Sequence, residues 1–226
     1  MSDKIRVTII EDHQSIIDGY IYRLSANPQI EVVATTMYGE ELESILAEHP
    51  TNVLIADINV PTAQDNRNPY PILHLIPKLL QKHPDLNILV ISMYNKPTII
   101  QTVMEAGASG YILKDDQATI QDLANVVTMV AKGGIHLSQP AFEQLFKRAI
   151  PESTLTQRQL EALSLCAAYP DASSAELASR LGVANSTMRN LLSGAYLHLK
   201  VHTRAAAIIK ATQLGLISPF STTAEE

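Results

Sequence analysis

The chain has 226 residues, of which 46% are hydrophobic and 18% charged; this composition is typical of a globular protein and excludes a disordered chain. A single cysteine, Cys166, excludes a disulfide framework and favours a reducing compartment. Cys166 stands in an apolar run, so it is predicted to be a buried residue and not a reactive thiol. No stretch approaches the roughly 18 apolar residues that span a bilayer, and the first residues do not form a signal peptide. The sequence predicts a cytoplasmic protein with no membrane partner.

Charge is distributed unevenly along the chain. The net charge is −6, which by itself argues weakly against nucleic-acid binding. Residues 155–217, however, contain six Lys and Arg residues against three Asp and Glu residues, a net of about +3. This mild basic bias predicts modest DNA affinity for a single copy of the C-terminal region.

The first 135 residues alternate between short apolar runs and segments with helical periodicity. We predict strands at 5–10, 30–34, 53–56, 86–91 and 110–113, and helices at 15–25, 40–48, 72–82, 98–106 and 119–131. Short, uniformly apolar strands that alternate with helices are typical of a parallel sheet covered on both faces. The expected fold is a five-stranded doubly wound α/β domain, and its functional groups should gather at the carboxyl ends of the strands.

Polar residues follow four of these strands directly. They are Glu11, Asp12, Asp57, Ser92 and Lys114. Three clustered carboxylates stay ionised only beside a cation, and their hard oxygen atoms suit Mg²⁺. Asp57 would then serve as a nucleophile towards a phosphoryl group, whose oxygens Lys114 and Ser92 would bind. A polar residue at a strand end can simply be exposed to solvent in a loop. This explains the presence of any one of the five residues, but it does not explain why all five stand at strand ends.

These residues resemble a receiver domain. The resemblance rests on the acidic pair, on Asp57-x-x-x-Pro61, on Ser92, and on the segment Ala-Gly-Ala-Ser-Gly-Tyr-Ile-Leu-Lys at 106–114. It implies a flavodoxin-like fold and a cognate histidine kinase. It also implies roles for individual residues: Asp57 as phosphoacceptor; Glu11, Asp12, Asp57 and the Asn59 carbonyl as Mg²⁺ ligands; and Ser92, Tyr111 and Lys114 as phosphate-binding or switch residues.

One segment departs from the receiver pattern. Residues 62–71 replace a short Gly-containing turn with a longer loop that lacks glycine. Asp65 and Arg67 of this loop are within possible reach of the pocket, although a plain surface insertion is the favoured interpretation. His13, beside the acidic pair, is interpreted as a loop residue, because Mg²⁺ prefers oxygen ligands.

The pattern changes after residue 133. We assign residues 1–133 to the receiver, 134–153 to a linker with a helix at 141–149, 154–217 to an all-α domain, and 218–226 to a disordered tail. Four helices are predicted in the second domain, at 157–168, 174–181, 185–199 and 203–214. The second and third of these have the spacing of a helix-turn-helix unit.

The third helix of this domain is predicted to carry a polar outer face. Asn185, Ser186, Arg189, Asn190 and Ser193 are expected to point outward, and such side chains suit phosphate and base-edge contacts. The domain resembles the LuxR and NarL type of DNA-binding domain, through Glu176-Leu177-Ala178-x-x-Leu181, Thr187-Met188-Arg189 and Leu199-x-Val201-x-x-Arg204 among other matches. The resemblance implies that the third helix enters the major groove and that the fourth supports dimerisation. The predicted DNA contacts are Ser186, Thr187, Arg189, Asn190 and Ser193, with Arg189 foremost.

The domain also departs from its family's pattern. Leu191 stands where a histidine is common, His198 where a lysine is common, and Ser193 where a basic residue is often found. Fewer basic contacts imply weaker non-specific binding and a greater dependence on dimerisation.

Both halves together resemble a two-component response regulator of the NarL/FixJ type. The favoured hypothesis is a phosphorylation-controlled transcription regulator, not a dedicated enzyme, that binds paired DNA half-sites as a homodimer when it is phosphorylated. In this hypothesis Ser92 and Tyr111 remodel the face formed by residues 98–131. Two alternatives stay open: an atypical regulator that does not depend on phosphorylation, and an aspartyl-phosphate phosphatase of the haloacid dehalogenase type. The second alternative would need an acid where Asn59 stands.

Overall fold

The computed structural model describes residues 4–147 and 155–217. The strands are β1 (Ile5–Ile10), β2 (Ile30–Thr36), β3 (Val53–Ala56), β4 (Asn87–Ser92), β5 (Gly110–Leu113) and β6 (His136–Leu137). The helices are α1 (Gln14–Leu24), α2 (Leu42–Glu48), α3 (Ile72–Lys82), α4 (Pro97–Glu105), α5 (Gln117–Gln121), α6 (Leu123–Ala131), α7 (Gln139–Lys147), α8 (Gln157–Ala168), α9 (Ser174–Leu181), α10 (Asn185–Leu199) and α11 (Arg204–Gln213). None of the described helices is long and apolar enough to cross a bilayer. The predicted tail at 218–226 and part of the predicted linker, 148–153, lie outside the described residues.

All strands of the sheet are parallel, in the order β2-β1-β3-β4-β5-β6. Helices cover both faces, and β3, β4 and β5 are buried along their whole length. The predicted doubly wound parallel sheet is therefore confirmed. Because sequential parallel strands end at one edge, the residues that follow β1, β3, β4 and β5 are brought together there.

The strand count is six and not the five that we predicted. The additional strand, β6, comes from the region predicted to be a linker, and it pairs with β5 through His136 and Leu137. Two residues are too few to show a strand periodicity in the sequence. The unpaired edge of β5 supplies the partner, so this strand is defined by a tertiary contact.

The predicted helix at 119–131 is divided into α5 and α6. Asp122 separates them with φ −95° and ψ 17°, outside the helical region. The Asp116 carboxylate caps α5 by accepting a hydrogen bond from the Thr119 amide at 3.1 Å. Such capping satisfies an amide that the first turn of a helix leaves free.

The long loop at 62–71 folds upon itself. Pro61 and Pro69 form an antiparallel bridge, and the Thr62 amide donates to the Asn68 carbonyl at 2.9 Å. Asp65 and Arg67 are exposed, and neither forms a hydrogen bond or an ion pair with another described residue. The loop therefore has the form of a surface insertion.

The C-terminal region consists of the four predicted helices. Capping boxes begin α8, at Thr156 with Gln159, and α9, at Ser173 with Glu176. Gly182 ends α9 with φ 71°, a conformation that favours glycine. Cys166 is buried as predicted, and burial raises the pKa of its thiol to about 11, so the thiol is unreactive at neutral pH.

The two halves of the chain share one apolar core. A single cluster of buried residues runs from the α3 and α4 side of the sheet into the helical domain. Helix α10 contacts α3 and α4, and α7 contacts α4. The third helix of the C-terminal domain is therefore packed against the sheet domain.

Candidate functional site

Three charged side chains meet at the carboxyl edge of the sheet. Lys114 Nζ, after β5, lies 2.6 Å from Glu11 Oε2 and 2.8 Å from Asp57 Oδ2. The side chains are 9%, 1% and 6% exposed, respectively. The parallel strands bring these residues together as predicted, and the result is a nearly buried cation bridging two carboxylates.

The charges in this cluster stabilise one another. Burial acts against the ammonium of Lys114, but its hydrogen bonds to Asp57 and Glu11 outweigh burial and raise its pKa. Burial also raises the pKa of Glu11, and the nearby Lys114 limits that rise. Lys114 is therefore charged at neutral pH and faces the carboxylate of Asp57.

A second group of ligand atoms lies beside this cluster. Carboxylate oxygens of Glu11 and Asp12 and a ring nitrogen of His13 lie within 4.8 Å of one another. His13 Nδ1 is 2.6 Å from Asp12 Oδ1, and this hydrogen bond raises the pKa of His13. The two adjacent carboxylates suit a hard cation such as Mg²⁺. The sequence placed His13 near the pocket only as a loop residue, whereas the structure places its ring against the acidic pair.

Two of the predicted phosphate-binding or switch residues, Ser92 and Tyr111, lie next to the pocket and are fully buried. Ser92 Oγ accepts a hydrogen bond from the Tyr94 amide at 3.4 Å. The hydroxyl of Tyr111 donates to the Tyr94 carbonyl at 2.6 Å, and both Ser92 and Tyr111 are 0% exposed. Tyr111 is thus already in a buried position, where burial raises its pKa.

Asn59 and Tyr94 complete the rim of the pocket. The backbone amide of Asn59 donates a hydrogen bond to Asp57 Oδ1 at 3.2 Å, so the turn after β3 orients the Asp57 carboxylate. The Tyr94 hydroxyl lies 3.5 Å from Asn59 Oδ1. Sequence reasoning missed Tyr94, because nothing in the pattern of an exposed aromatic after β4 distinguishes it from an ordinary loop residue.

The side chain of Arg189 on α10 is buried against the sheet domain. It is 0% exposed. Its Nη1 donates to the Leu86 carbonyl and to Asn87 Oδ1, the latter at 3.0 Å, and its Nη2 donates to the Pro84 carbonyl at 3.3 Å. Burial lowers the pKa of Arg189 to about 10, so the guanidinium is still charged at neutral pH. We name these acceptors, from 84 to 87, the carbonyl cage.

The prediction that the polar face of α10 points outward is wrong for Arg189 and Ser193. Ser193 is 1% exposed, Asn185 and Asn190 are half-buried, and Asn185 donates to the Pro84 carbonyl at 3.0 Å. Ser186 is half-buried and Thr187 is exposed. The helical period correctly placed these residues on one face, but a single helix pattern does not show which neighbour covers that face.

Several polar atoms on this face have no partner among the described residues. They are Asn185 Oδ1, Arg189 Nε, Asn190 Oδ1 and Ser193 Oγ. A buried polar atom without a protein hydrogen bond costs about 1–3 kcal/mol when no water reaches it. The contact between α10 and the sheet domain therefore leaves four buried polar atoms of α10 without a hydrogen-bond partner among the described residues.

The fold and the pocket together define a receiver domain followed by a helix-turn-helix output domain. The model of the response regulator receiver domain matches residues 7–125, and the chain belongs to that family as a response regulator of the NarL/FixJ type.

Curated relatives of similar length align over nearly the whole chain. The transcriptional regulatory protein DegU of Brevibacillus brevis is 26% identical over 95% of this chain and 96% of its own length. The DNA-binding transcriptional activator DevR/DosR of Mycobacterium tuberculosis is 26% identical over 93% of this chain and 95% of its own. Among solved structures, RcsB of Salmonella enterica serovar Typhimurium, bound to a promoter in the presence of the phosphomimetic BeF₃⁻, has a TM-score of 0.58. It is 23% identical and covers 94% of this chain and 100% of its own, a likeness that shows the shared fold.

Proposed function

We propose that this response regulator controls transcription by binding DNA, and that a histidine kinase regulates it by phosphorylating Asp57. The observation that carries the proposal is the buried Asp57 carboxylate, held 2.8 Å from Lys114 Nζ at the edge where Glu11 and Asp12 lie. The relatives named above, which are called transcriptional regulators, support the output function.

The residues of the pocket suit acceptance of a phosphoryl group. A carboxylate oxygen of Asp57 would form the new bond to phosphorus, while the bond between phosphorus and the kinase histidine breaks and its electron pair stays on the histidine nitrogen. Lys114 lies where it would bind an oxygen of the transferred group, and the buried Ser92 hydroxyl would bind another. The Asn59 amide fixes the orientation of the Asp57 carboxylate during transfer.

Mg²⁺ fits this pocket, because Glu11, Asp12 and Asp57 supply the oxygen ligands that it prefers. We propose these three carboxylates and the Asn59 carbonyl as its ligands. When bound, the ion would neutralise the charge that the carboxylates and the phosphoryl oxygens bring together. His13 is best regarded as an orienting neighbour of Asp12, because its ring hydrogen-bonds that carboxylate.

The position of α10 supplies a proposed route from phosphorylation to DNA. In the described arrangement Arg189 is occupied by the carbonyl cage and cannot contact a base or a phosphate. DNA binding through Ser186, Thr187, Arg189, Asn190 and Ser193 therefore requires α10 to leave the receiver. The four unpartnered polar atoms of this face favour such an exchange of partners, since DNA offers donors and acceptors to them.

We further propose that the phosphorylated protein acts as a homodimer on paired half-sites. The output domain has a net charge of about +3 and lacks several basic residues, so one copy should bind weakly. Joining two copies makes the second engagement intramolecular, which raises affinity by about 10²–10⁴.

Neither alternative function gains a supporting observation. The loop at 62–71, the only sequence feature favouring a phosphorylation-independent regulator, folds upon itself and leaves the pocket residues in place. The phosphatase alternative requires an acid at the position of Asn59, and it gives no role to the helix-turn-helix domain.

The phosphoacceptor is tested with the purified chain, acetyl phosphate and Mg²⁺. Intact mass should rise by about 80 Da, the mass of one phosphoryl group, and the rise should require Mg²⁺. Asp57→Asn should abolish the addition, and the exposed-loop variant Asp65→Asn is the matched control. If Asp57→Asn gains the same mass as the wild type, the assignment of Asp57 is wrong.

A further inference from the structure

The long loop that follows β3 is bonded to the segment between β2 and α2. That segment contains one turn of 3₁₀ helix, Gly39–Glu41, which runs directly into α2. The first amides of a helix have no partner within the helix. Here the Gly39 amide donates to the Pro61 carbonyl at 2.9 Å, and the Glu40 amide donates to the Thr62 carbonyl at 3.0 Å. The loop therefore caps the start of this helix with its own backbone.

A tyrosine closes the other end of the loop. The Tyr70 amide donates to the Val60 carbonyl at 2.8 Å, so the three consecutive carbonyls of residues 60–62 are all held by amides. The Tyr70 ring lies so close to the buried Gly39 that a Cβ on Gly39 would be 1.9 Å from Tyr70 Cγ. The same ring packs against the apolar core. We name residues 39–41 and 60–70 the clamp.

The clamp is continuous with the proposed metal ligands on two sides. On one side, the Thr36 hydroxyl donates to Glu41 Oε2 at 2.5 Å, and the Thr36 carbonyl accepts a hydrogen bond from the Glu11 amide at 3.1 Å. On the other side, Asn59 immediately precedes the clamp, and its amide is bound to Asp57 Oδ1. The clamp therefore joins the segment that carries Glu11 to the segment that carries Asp57 and Asn59.

The Asn59 carbonyl differs from the three carbonyls that follow it. It accepts no hydrogen bond from any described residue, whereas the carbonyls of residues 60–62 are occupied. A carbonyl of this kind can bind a cation without giving up a hydrogen bond to the protein. Because the backbone that follows it is already fixed, little conformational freedom is left to lose when the ion binds.

We propose that the clamp is a positioning element for the proposed Mg²⁺ site, and that the packing of Tyr70 on Gly39 is its closing contact. By fixing the backbone after Asn59, the clamp holds the carbonyl ligand and the carboxylate ligands at one separation before the ion binds, so that the ion does not have to order them. Gly39 and Tyr70 are not ligands themselves. The inference rests on the proposed function, because it requires Mg²⁺ to bind at the ligands named there.

The experiment uses the full chain, with Mg²⁺ itself as the probe. An NMR titration with MgCl₂ that follows the amides of Asp57 and Asn59 gives the Kd for Mg²⁺. Hydrogen exchange at the amides of Gly39 and Glu40 reports whether the clamp is closed. Urea unfolding is measured separately, because a purely structural role would change the free energy of unfolding without changing the Kd of the folded protein.

The variants isolate the contact between the ring and the glycine. Gly39→Ala places a methyl group where the Tyr70 ring lies, and the φ of Gly39 is not positive, so the backbone itself accepts alanine. Tyr70→Ala removes the ring, whereas Tyr70→Phe keeps it. Gln64→Ala is the matched control, since Gln64 is an exposed, uncharged residue of the same loop.

We expect Gly39→Ala and Tyr70→Ala each to raise the Kd for Mg²⁺ by roughly tenfold, an effect typical of residues that orient metal ligands. Both should speed exchange at the two clamp amides, and Tyr70→Phe and Gln64→Ala should change neither quantity. The double variant Gly39→Ala/Tyr70→Ala should bind no more weakly than Tyr70→Ala alone, because the added methyl group no longer meets a ring.

A wild-type Kd in both single variants would overturn the proposal and leave the proposed function intact. A raised Kd without faster exchange at the clamp amides, additive effects in the double variant, or a Tyr70→Phe variant as weak as Tyr70→Ala would overturn it in the same way. If Mg²⁺ shifts neither the Asp57 amide nor the Asn59 amide of the wild type, the proposed metal site is itself wrong, and the inference about the clamp is overturned with it.

Discussion

Arg189 is the residue at which packing against the receiver and the proposed DNA contact would compete. Its guanidinium is held by the backbone carbonyls of Pro84 and Leu86 and by the side chains of Asn87 and Ser109, and no salt bridge to it forms among the described residues. Hydrogen bonds to a charged group contribute about 1.5–3 kcal/mol each, but burial of an unpaired charge opposes them. A DNA phosphate, being an anion, would compensate the charge more fully than these neutral acceptors do, so the same residue could hold α10 against the receiver and, once released, favour the proposed DNA contact.

Substitution of Arg189 should therefore have two separable effects. Arg189→Ala should weaken specific DNA binding by roughly 1–3 kcal/mol if the residue reads a base; if it contacts only phosphate, the salt slope should fall by about one. It should also speed amide exchange around Asn87 in the absence of DNA, because the cage loses its occupant. Fluorescence anisotropy over a salt series and hydrogen exchange measure the two effects. Arg180→Ala, on the exposed side of α9, is the control.

Each readout tests a separate role of the arginine. Unchanged affinity with an unchanged salt slope would remove Arg189 from the DNA interface. Unchanged exchange near Asn87 would show that the cage does not depend on the arginine.

At the scale of elements, β6 contains a histidine whose environment favours its neutral form. Burial lowers the pKa of His136, and the adjacent His202 lowers it further, whereas Asp116 and Asp122 act in the opposite direction. Its Nε2 atom is buried without a partner among the described residues. Protonation would place a charge on a buried ring whose Nε2 atom has no acceptor among the described residues.

This pKa shift predicts a pH dependence with a defined sign. A histidine whose pKa is lowered on folding contributes stability that is fully present above its unfolded-state pKa of about 6.5. That contribution is lost as the pH falls from there through the folded-state pKa. The unfolding free energy of the wild type should thus fall relative to that of His136→Gln between pH 7.5 and 5.5. Urea unfolding at several pH values measures it, with His74→Gln on α3 as the control. A difference between wild type and His136→Gln that does not change with pH would contradict this assignment.

At the scale of the whole molecule, the pocket lies at the carboxyl ends of the strands, whereas the predicted DNA-contact face of α10 packs against residues at the amino end of β4. Helix α10 touches α3 and α4, and the carbonyl cage ends at the first residue of β4, the strand that ends at Ser92 beside the pocket. Two arrangements, docked and released, are sufficient to couple the two sites if phosphate and DNA both favour the released one. Coupling of this kind is reciprocal in binding free energy.

Reciprocity gives a quantitative expectation. If a beryllofluoride phosphate mimic strengthens operator binding by a given factor, operator DNA should strengthen binding of the mimic by the same factor. Titration calorimetry in both orders would measure the two factors, with an operator obtained by selection. Asp57→Asn should bind the mimic weakly and show no coupling. The absence of coupling in wild type would contradict the mechanism of docked and released arrangements and would favour a regulator that does not depend on phosphorylation.

The sequence by itself determined the receiver fold and the membership of its pocket. Strand periodicity places Glu11, Asp57, Ser92 and Lys114 at strand ends, and parallel pairing leaves them only one edge at which to meet. Local rules likewise fixed α8, α9 and α10, because caps and helical period act within a few residues of each boundary.

Only the tertiary structure decided what covers these elements. Residues 136 and 137 form β6 because β5 has an open edge, and Arg189 is buried because the receiver supplies carbonyls 102 to 105 residues away in the chain. The same side-chain atoms of Asn and Arg on a helix face can form hydrogen bonds with water, with DNA or with backbone carbonyls. Periodicity therefore identifies a polar face, while the choice of its partner depends on the free energy of packing two domains together.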